Sequence, residues 1–215
     1  MVSIYQSKSA FQNYLRPLVN LLAAWRITPN QVTVSAILLS GITGLAIALS
    51  TQVTTTFLST FLSTQLVLLA LPIVLLVRMA LNAIDGMLAR EYDQKTSFGC
   101  ILNELGDVLS DIFLYLPLCL ISGFPIALIV TIVILAVVTE MTGVLGCEIV
   151  NKRGYEGPMG KSDRAFVFGL IGLIIGLNLA LAQWLSIPLS GVIFLQIWTI
   201  INRIHGMLQE VESWK

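Results

Sequence analysis

The chain has 215 residues, 56% of them hydrophobic and only 11% charged, against ~25% charged in a soluble domain. That charge cannot cover a water-facing shell, so most of the exterior faces lipid and an ordinary soluble protein is excluded. Twelve basic residues balance twelve acidic ones, which excludes a strongly basic nucleic-acid binder and an acidic disordered tail; no nucleic-acid partner is expected.

The whole chain, 1–215, reads as one all-α integral membrane domain. Residues 1–30 form a cytoplasmic or interfacial segment that lacks the short apolar core of a cleavable signal. Within it Tyr14, Leu15, Leu18, Leu21 and Leu22 recur at helical spacing beside Arg16 and Arg26. This predicts an amphipathic helix on the membrane surface, either an anchor or a gate for lipid entry. Ile27 to Val77, Ile112 to Thr139 and Ala165 to Asn202 are uncharged, and a span needs ~20 apolar residues. The pattern predicts six transmembrane helices, over 32–50, 64–90, 98–121, 125–149, 163–183 and 185–209, in a core of 32–209. They pair as three hairpins with uncharged outer turns at 52–56, 123–125 and 183–188.

The basic residues of tails and loops then share one face: Lys8, Arg16 and Arg26; Arg90 and Lys95; Lys152, Arg153, Lys161 and Arg164; Arg203 and Lys215. The excess of Lys and Arg makes that face cytoplasmic, with both termini inside. Cys100, Cys119 and Cys147 contain no CxxC pair, so neither a disulfide framework nor a zinc site is indicated.

The second and third spans carry polar residues that lipid does not tolerate. On the second, Arg78, Asn82, Asp85, Gly86 and Ala89 share one face; on the third, Gly99, Asn103, Asp107 and Asp111 recur every fourth residue. A short polar loop, Glu91 to Ser97, makes these spans antiparallel neighbours whose stripes can face each other at the cytoplasmic end. An acidic charge in a span costs ~2.5–3.5 kcal/mol on insertion scales and usually marks a site. Oxygen ligands without Cys or His favour Mg²⁺, Mn²⁺ or Ca²⁺. Small residues beside the acids let a flat ring or a diphosphate approach the backbone. The structural alternative pairs the acids with Arg78 and Arg90 and uses the glycines for helix packing.

The stretch Asn82-Ala-Ile-Asp85-Gly86-Met-Leu-Ala89-Arg90, then Gly99, Asn103 and Asp107 at the matching intervals, resembles the signature of the CDP-alcohol phosphotransferases, D-x-x-D-G-x-x-A-R followed after eight or so residues by G-x-x-x-D-x-x-x-D. Ile27-Thr-Pro-Asn30-Gln-Val-Thr33 looks like the family's lead-in to the first span, and six helices is the family's topology. The resemblance implies Mg²⁺- or Mn²⁺-dependent transfer of a phosphatidyl-type group from a CDP-linked lipid, usually CDP-diacylglycerol, to an alcohol acceptor with release of CMP. It also implies a homodimer in a bacterial-type inner membrane. By this mapping Asp85 ligates metal, Gly86, Ala89 and Gly99 line the cytidine and diphosphate site, and Arg90 is a structural or nucleotide-side cation. Asp107 takes the position of the base that accepts the acceptor hydroxyl's proton.

The family's first and third aspartates are Asn82 and Asn103 here. An amide oxygen ligates Mg²⁺ without bringing charge, so the expected metal set is Asp85, Asn82, Asn103 and Asp107, with Asp111 in compensation and Glu104 as a further candidate. One tightly held metal is favoured over two. Lys161 and Arg164, near the start of the fifth span, suit an anionic acceptor or the diphosphate, or serve as ordinary anchors. Lys152 and Arg153 read as anchors, Glu140 and Glu148 as acceptor-pocket or structural residues, and His205 as interfacial. Gly169, Gly172 and Gly176 form a close-packing face. Two other classes compete. A non-catalytic lipid- or nucleotide-binding relative would release no CMP. An intramembrane prenyltransferase would need a second D-x-x-x-D motif and about nine spans, which the chain lacks.

Overall fold

The computed structural model describes residues 4–52, 63–179 and 184–213. Among them the chain is helical throughout: α1 Ile4–Ala24, α2 Pro29–Ser50, α3 Thr64–Glu91, α4 Ser97–Tyr115, α5 Ile126–Val150, α6 Lys161–Gly176 and α7 Ser186–Glu212. Local chemistry sets the starts. Thr28 and Gln31 form a reciprocal capping box with Pro29 in the first turn, so α2 begins three residues before the expected 32. Ser63 caps α3, and Thr96 caps α4 by accepting from the Gly99 N–H at 2.9 Å.

The third predicted helix, 98–121, is α-helical only to Tyr115 and then tightens into a 3₁₀ turn at Leu116–Leu120. Pro117 has no N–H to continue the α ladder. The fifth, expected over 163–183, runs Lys161–Gly176. Residues 53–56 of the first outer turn, 180–183 of the last hairpin, and Lys215 lie outside the described residues.

Side-chain distribution is inverted relative to a soluble helix. On α2, Thr33, Ser40, Thr43 and Ser50 are buried while Leu38, Ile42, Leu45 and Leu49 are exposed. The inward hydroxyls stay satisfied: Ser40 donates to the Ala36 carbonyl and Thr43 to Leu39, each at 2.8 Å. α2, α3, α5 and α7 are long and apolar enough to cross a membrane. α4 carries Glu104, Asp107 and Asp111, and α6 has 16 residues. The chain is an integral membrane protein.

α2 packs on both α3 and α4, α6 on α3, and α7 on α5. The core joins Leu68, Leu71 and Leu75 of α3 to Leu114, Ile129, Phe168 and Leu189, with the Tyr115 and Phe168 rings stacked at 4.2 Å. Gly169, Gly172 and Gly176 of α6 press on α3 at Pro72, Leu71 and Leu69; a Cβ on Gly172 would lie 3.1 Å from the Leu68 carbonyl. α1 docks by Val19, with Leu15 and Leu22, onto Val32, Ile84, Met87 and Leu88. Arg16 pairs with Glu91 at 3.3 Å, and the Tyr92 hydroxyl donates to Asn20 at 2.9 Å. Tyr14, Leu18, Leu21 and Trp25 remain exposed.

Candidate active site

The two polar stripes meet, but not as tightly packed neighbours. α3 and α4 make little direct backbone contact; α2 packs on each, and polar side chains bridge the space between them. The expectation of simple antiparallel packing is corrected in this respect. Arg78 and Asn82 of α3 reach across to Asp111 and Asp107 of α4, so the signature residues meet through side chains rather than through close backbone packing.

Asp107 is 4% exposed and accepts from three sources. Asn82 Nδ2 donates to Oδ1 at 2.8 Å, Lys161 Nζ to Oδ2 at 2.6 Å, and Arg78 Nη2 lies 3.9 Å from Oδ1 while donating to the Asp107 carbonyl at 3.1 Å. Asp85, 5% exposed, has a different setting. The Thr33 hydroxyl lies 2.8 Å from its Oδ2, and no cationic side chain pairs with it among the described residues. Asn103, half-buried one turn before Asp107, makes no hydrogen bond among the described residues.

Deeper in the bundle, Asp111 sits between two guanidiniums. Arg78 Nη1 is 2.6 Å from its Oδ1, and Arg164 Nε and Nη2 donate to its Oδ2 at 3.0 and 2.8 Å. Arg164, fully buried, also donates to Glu140 at 2.9 Å and reaches the Met159 carbonyl at 3.4 Å. Arg153 closes the network, donating to Glu140 at 2.9 Å and contacting Glu104. The structure thus brings Asp85, Asn82, Asp107 and Lys161 together and places Asp111, Arg164, Glu104 and Glu140 in an ion network that Arg78 joins to Asp107. Arg164 turns inward, toward Asp111 and Glu140.

Arg90 is exposed and folds back over Gly86, where an added Cβ would lie 3.1 Å from its Nη1. Ala89 is half-buried beside it. Gly99 lies against Asn30; an added Cβ would meet the Asn30 amide at 2.7 Å. Glu148 and His205 are exposed, His205 in contact with Gln209 at 2.9 Å.

Sequence reasoning left Thr33 without a site role and read Arg153 as an anchor. Thr33 was visible in the lead-in motif, one helical turn beyond Asn30. Arg153 had one signal only: Glu104 and Glu140, two acids in apolar helices, each require a cation.

Among the described residues no three of His, Cys, Asp and Glu converge as a metal site. A hard divalent ion does not need three, because Mg²⁺ typically takes one or two carboxylates and completes its shell with water and substrate phosphate. The buried, uncompensated carboxylate of Asp85 fits such an ion, with the amides of Asn82 and Asn103 one turn before Asp85 and Asp107.

The chain resembles known proteins over nearly its full length. The sequence profile of the CDP-alcohol phosphatidyltransferases matches residues 26–200. The inner membrane protein YnbA of Escherichia coli (strain K12) is 42% identical over 207 residues, 96% of this chain and 97% of that protein. The fold is shared, at 18% identity and TM-score 0.69, with a Mycobacterium tuberculosis phosphatidylinositol phosphate synthase (PgsA1) solved with CDP-DAG bound, over 89% of this chain and 92% of that one. The same synthase in complex with manganese and citrate matches at 18% identity and TM-score 0.69, over 89% of this chain and 88% of that one. The profile match and the near full-length relative together establish that the chain belongs to the CDP-alcohol phosphatidyltransferase family.

Proposed function

We propose that the protein transfers a phosphatidyl-type group from CDP-diacylglycerol to an alcohol acceptor, releasing CMP, at the cytoplasmic face of a bacterial inner membrane. The observation that carries this reading is Asp85, a buried signature carboxylate with no ion-pair partner among the described residues, in the same polar cluster as a second signature carboxylate, Asp107. Six spanning helices, α2 to α7, both termini in the cytoplasm, α1 lying along the inner surface and a homodimeric assembly complete the proposal.

Asp85, with the amide oxygens of Asn82 and Asn103, would hold one Mg²⁺ or Mn²⁺. When bound, that ion neutralises charge on the diphosphate and on the leaving CMP. Gly86, Ala89 and Gly99 provide the thin wall against which cytidine and diphosphate lie, and Arg90 caps it with positive charge. Asp107 takes the proton of the acceptor hydroxyl as its oxygen attacks the phosphorus of the lipid phosphate. The bond from that phosphorus to the CMP oxygen breaks, and CMP leaves with the electron pair. Asn82 holds Asp107 in place through Oδ1, while the Oδ2 that Lys161 covers becomes the proton acceptor once Lys161 moves. Lys161 has the freedom to move, since its side chain is 36% exposed. Asp111 and Arg164 keep the floor of the cleft rigid and touch no substrate.

A second reading draws on Asn82, Asn103 and the covered Asp107: a relative that binds the nucleotide lipid without turnover. CMP release from CDP-diacylglycerol separates the two, measured with purified protein in detergent, Mg²⁺, Mn²⁺ or chelator, and a panel of acceptor alcohols. Metal-dependent release stimulated by one acceptor is the expected result. Bound nucleotide lipid with no release across the panel overturns catalysis in favour of binding alone.

A further inference from the structure

We infer that Lys161 is the resident counter-ion of Asp107 and takes the place of a second metal, so that the chain binds a single divalent ion, at Asp85. The inference rests on the metal site proposed above and adds what limits its occupancy. Asp107 is a buried carboxylate with both oxygens engaged: Oδ2 by the Lys161 ammonium at 2.6 Å and Oδ1 by the Asn82 amide at 2.8 Å. A cation is therefore already in place, built into the first residue of α6. Asn82 fits this arrangement because an amide donates where it meets Asp107, whereas an aspartate at that distance would set one carboxylate against another. Asn82 and Lys161 thus supply Asp107 with one amide and one ammonium, and this carboxylate no longer requires a metal. Asp85 accepts from the Thr33 hydroxyl and pairs with no cationic side chain among the described residues. An ion bound there is attracted by Asp107 and repelled by Lys161, so removing the ammonium alone tightens it.

This arrangement makes Lys161 a competitor of metal, which reverses the usual sign of an active-site deletion. A lysine that served only the substrate phosphates would leave metal binding unchanged in the absence of nucleotide, and a purely structural lysine would lower it.

The test is Mn²⁺ binding to the purified full-length chain in detergent without substrate, read from the loss of the free-Mn²⁺ electron paramagnetic resonance signal. Wild type is expected to bind about one Mn²⁺ per chain, and K161Q to bind it ~10-fold more tightly or to take a second, since a unit charge has left a partly desolvated site. K161R, which keeps the charge, is expected to match wild type. N82D/N103D, which restores the carboxylates but leaves Lys161 in place, is expected to stay at about one ion. Two Mn²⁺ in wild type overturns the inference, as does a K161Q chain that elutes like wild type yet binds no more Mn²⁺ than wild type. Should K161Q not fold, N82D/N103D decides: two ions overturn the inference, one supports it. Failure here is distinct from failure of the proposed function. Two Mn²⁺ with CMP release removes only the role of Lys161, whereas no Mn²⁺ and no CMP release removes both.

Discussion

Asp85 and Asp111 are buried alike, 5% and 3% exposed, yet their surroundings differ in kind. Asp111 is held by two guanidiniums in an alternating network that continues through Glu140 to Arg153. Asp85 has one hydroxyl. Between them stands Asp107, compensated by an ammonium on a flexible, partly exposed stem. The difference separates structure from chemistry within a single polar cluster. On the proposed reading, arginines at both ends spend charge on holding helices together, while amides and one partly exposed lysine leave charge to meet a ligand.

The largest expected effect lies on the movable side. Asp107→Asn removes the proton acceptor while keeping the side chain's shape. It should lower CMP release by about 10²–10⁴-fold, the range for loss of a general base, with CDP-lipid binding largely retained. Full activity in this variant would move the base to another residue. Asp85→Ala should instead lose Mn²⁺ and nucleotide binding together, so the two carboxylates are distinguished by what disappears first.

On the fixed side the loss should appear as stability. Arg164→Met removes a fully buried guanidinium from between Asp111 and Glu140. Breaking a buried ion pair from one side costs about 3–5 kcal/mol, because the remaining charges stay uncompensated. A large drop in thermal stability is expected in detergent, with metal affinity unchanged in whatever folded fraction survives. Wild-type stability combined with lost substrate binding would return Arg164 to the phosphate-binding role that its place in the sequence suggests.

That exchange of roles marks how far the sequence could be read. The signature stripes on α3 and α4 were legible because spacing of three and four residues is a property of one helix, as were the helix class and most boundaries. The expected helix ran past Pro117 to residue 121, whereas the α-helix ends at Tyr115. The destinations of Arg153 and Arg164 were not legible. They depend on how residues 151–160 fold back over the bundle: Asn151 takes a left-handed conformation, the Lys152 N–H returns to the Gly146 carbonyl at 3.2 Å, and the Gly154 N–H returns to Gly143 at 3.1 Å. No local pattern fixes that path, and only through it does a guanidinium reach acids 49 and 13 positions away. The gap between α3 and α4 was hidden for the same reason, since it depends on α2 packing against both.

A smaller effect should come from Thr33, whose side chain hydrogen-bonds to Asp85. Its hydroxyl lies 2.8 Å from the carboxylate and 3.1 Å from the Pro29 carbonyl; a hydroxyl has a single proton, and the shorter, charge-assisted contact takes it. Thr33→Val keeps shape and loses orientation. Removing a partner that aligns a metal ligand typically costs 10–100-fold in metal affinity, and for a single hydroxyl about 10-fold weaker Mn²⁺ binding is expected. Thr33→Ser should restore it. Unchanged affinity in the valine variant would mean that Asp85 is aligned by its own helix alone.

The smallest effect comes from the neighbour of Arg153. Lys152 pairs with Glu210 at 3.6 Å, with side chains 66% and 39% exposed, whereas the Arg153 side chain is 13% exposed between two acids. The two residues are adjacent in the chain and carry the same charge, so burial and geometry are what separate them. An exposed pair gains little in water and must hold two long side chains in one geometry, which leaves about 0–1 kcal/mol. Lys152→Ala should therefore shift thermal stability by almost nothing, and still less at high salt. Arg153→Ala, leaving Glu104 and Glu140 short of a cation, should lose several times more and keep most of that loss at high salt. Equal losses from the two variants would mean that the loop contributes charge to the membrane surface rather than ion pairs to the bundle.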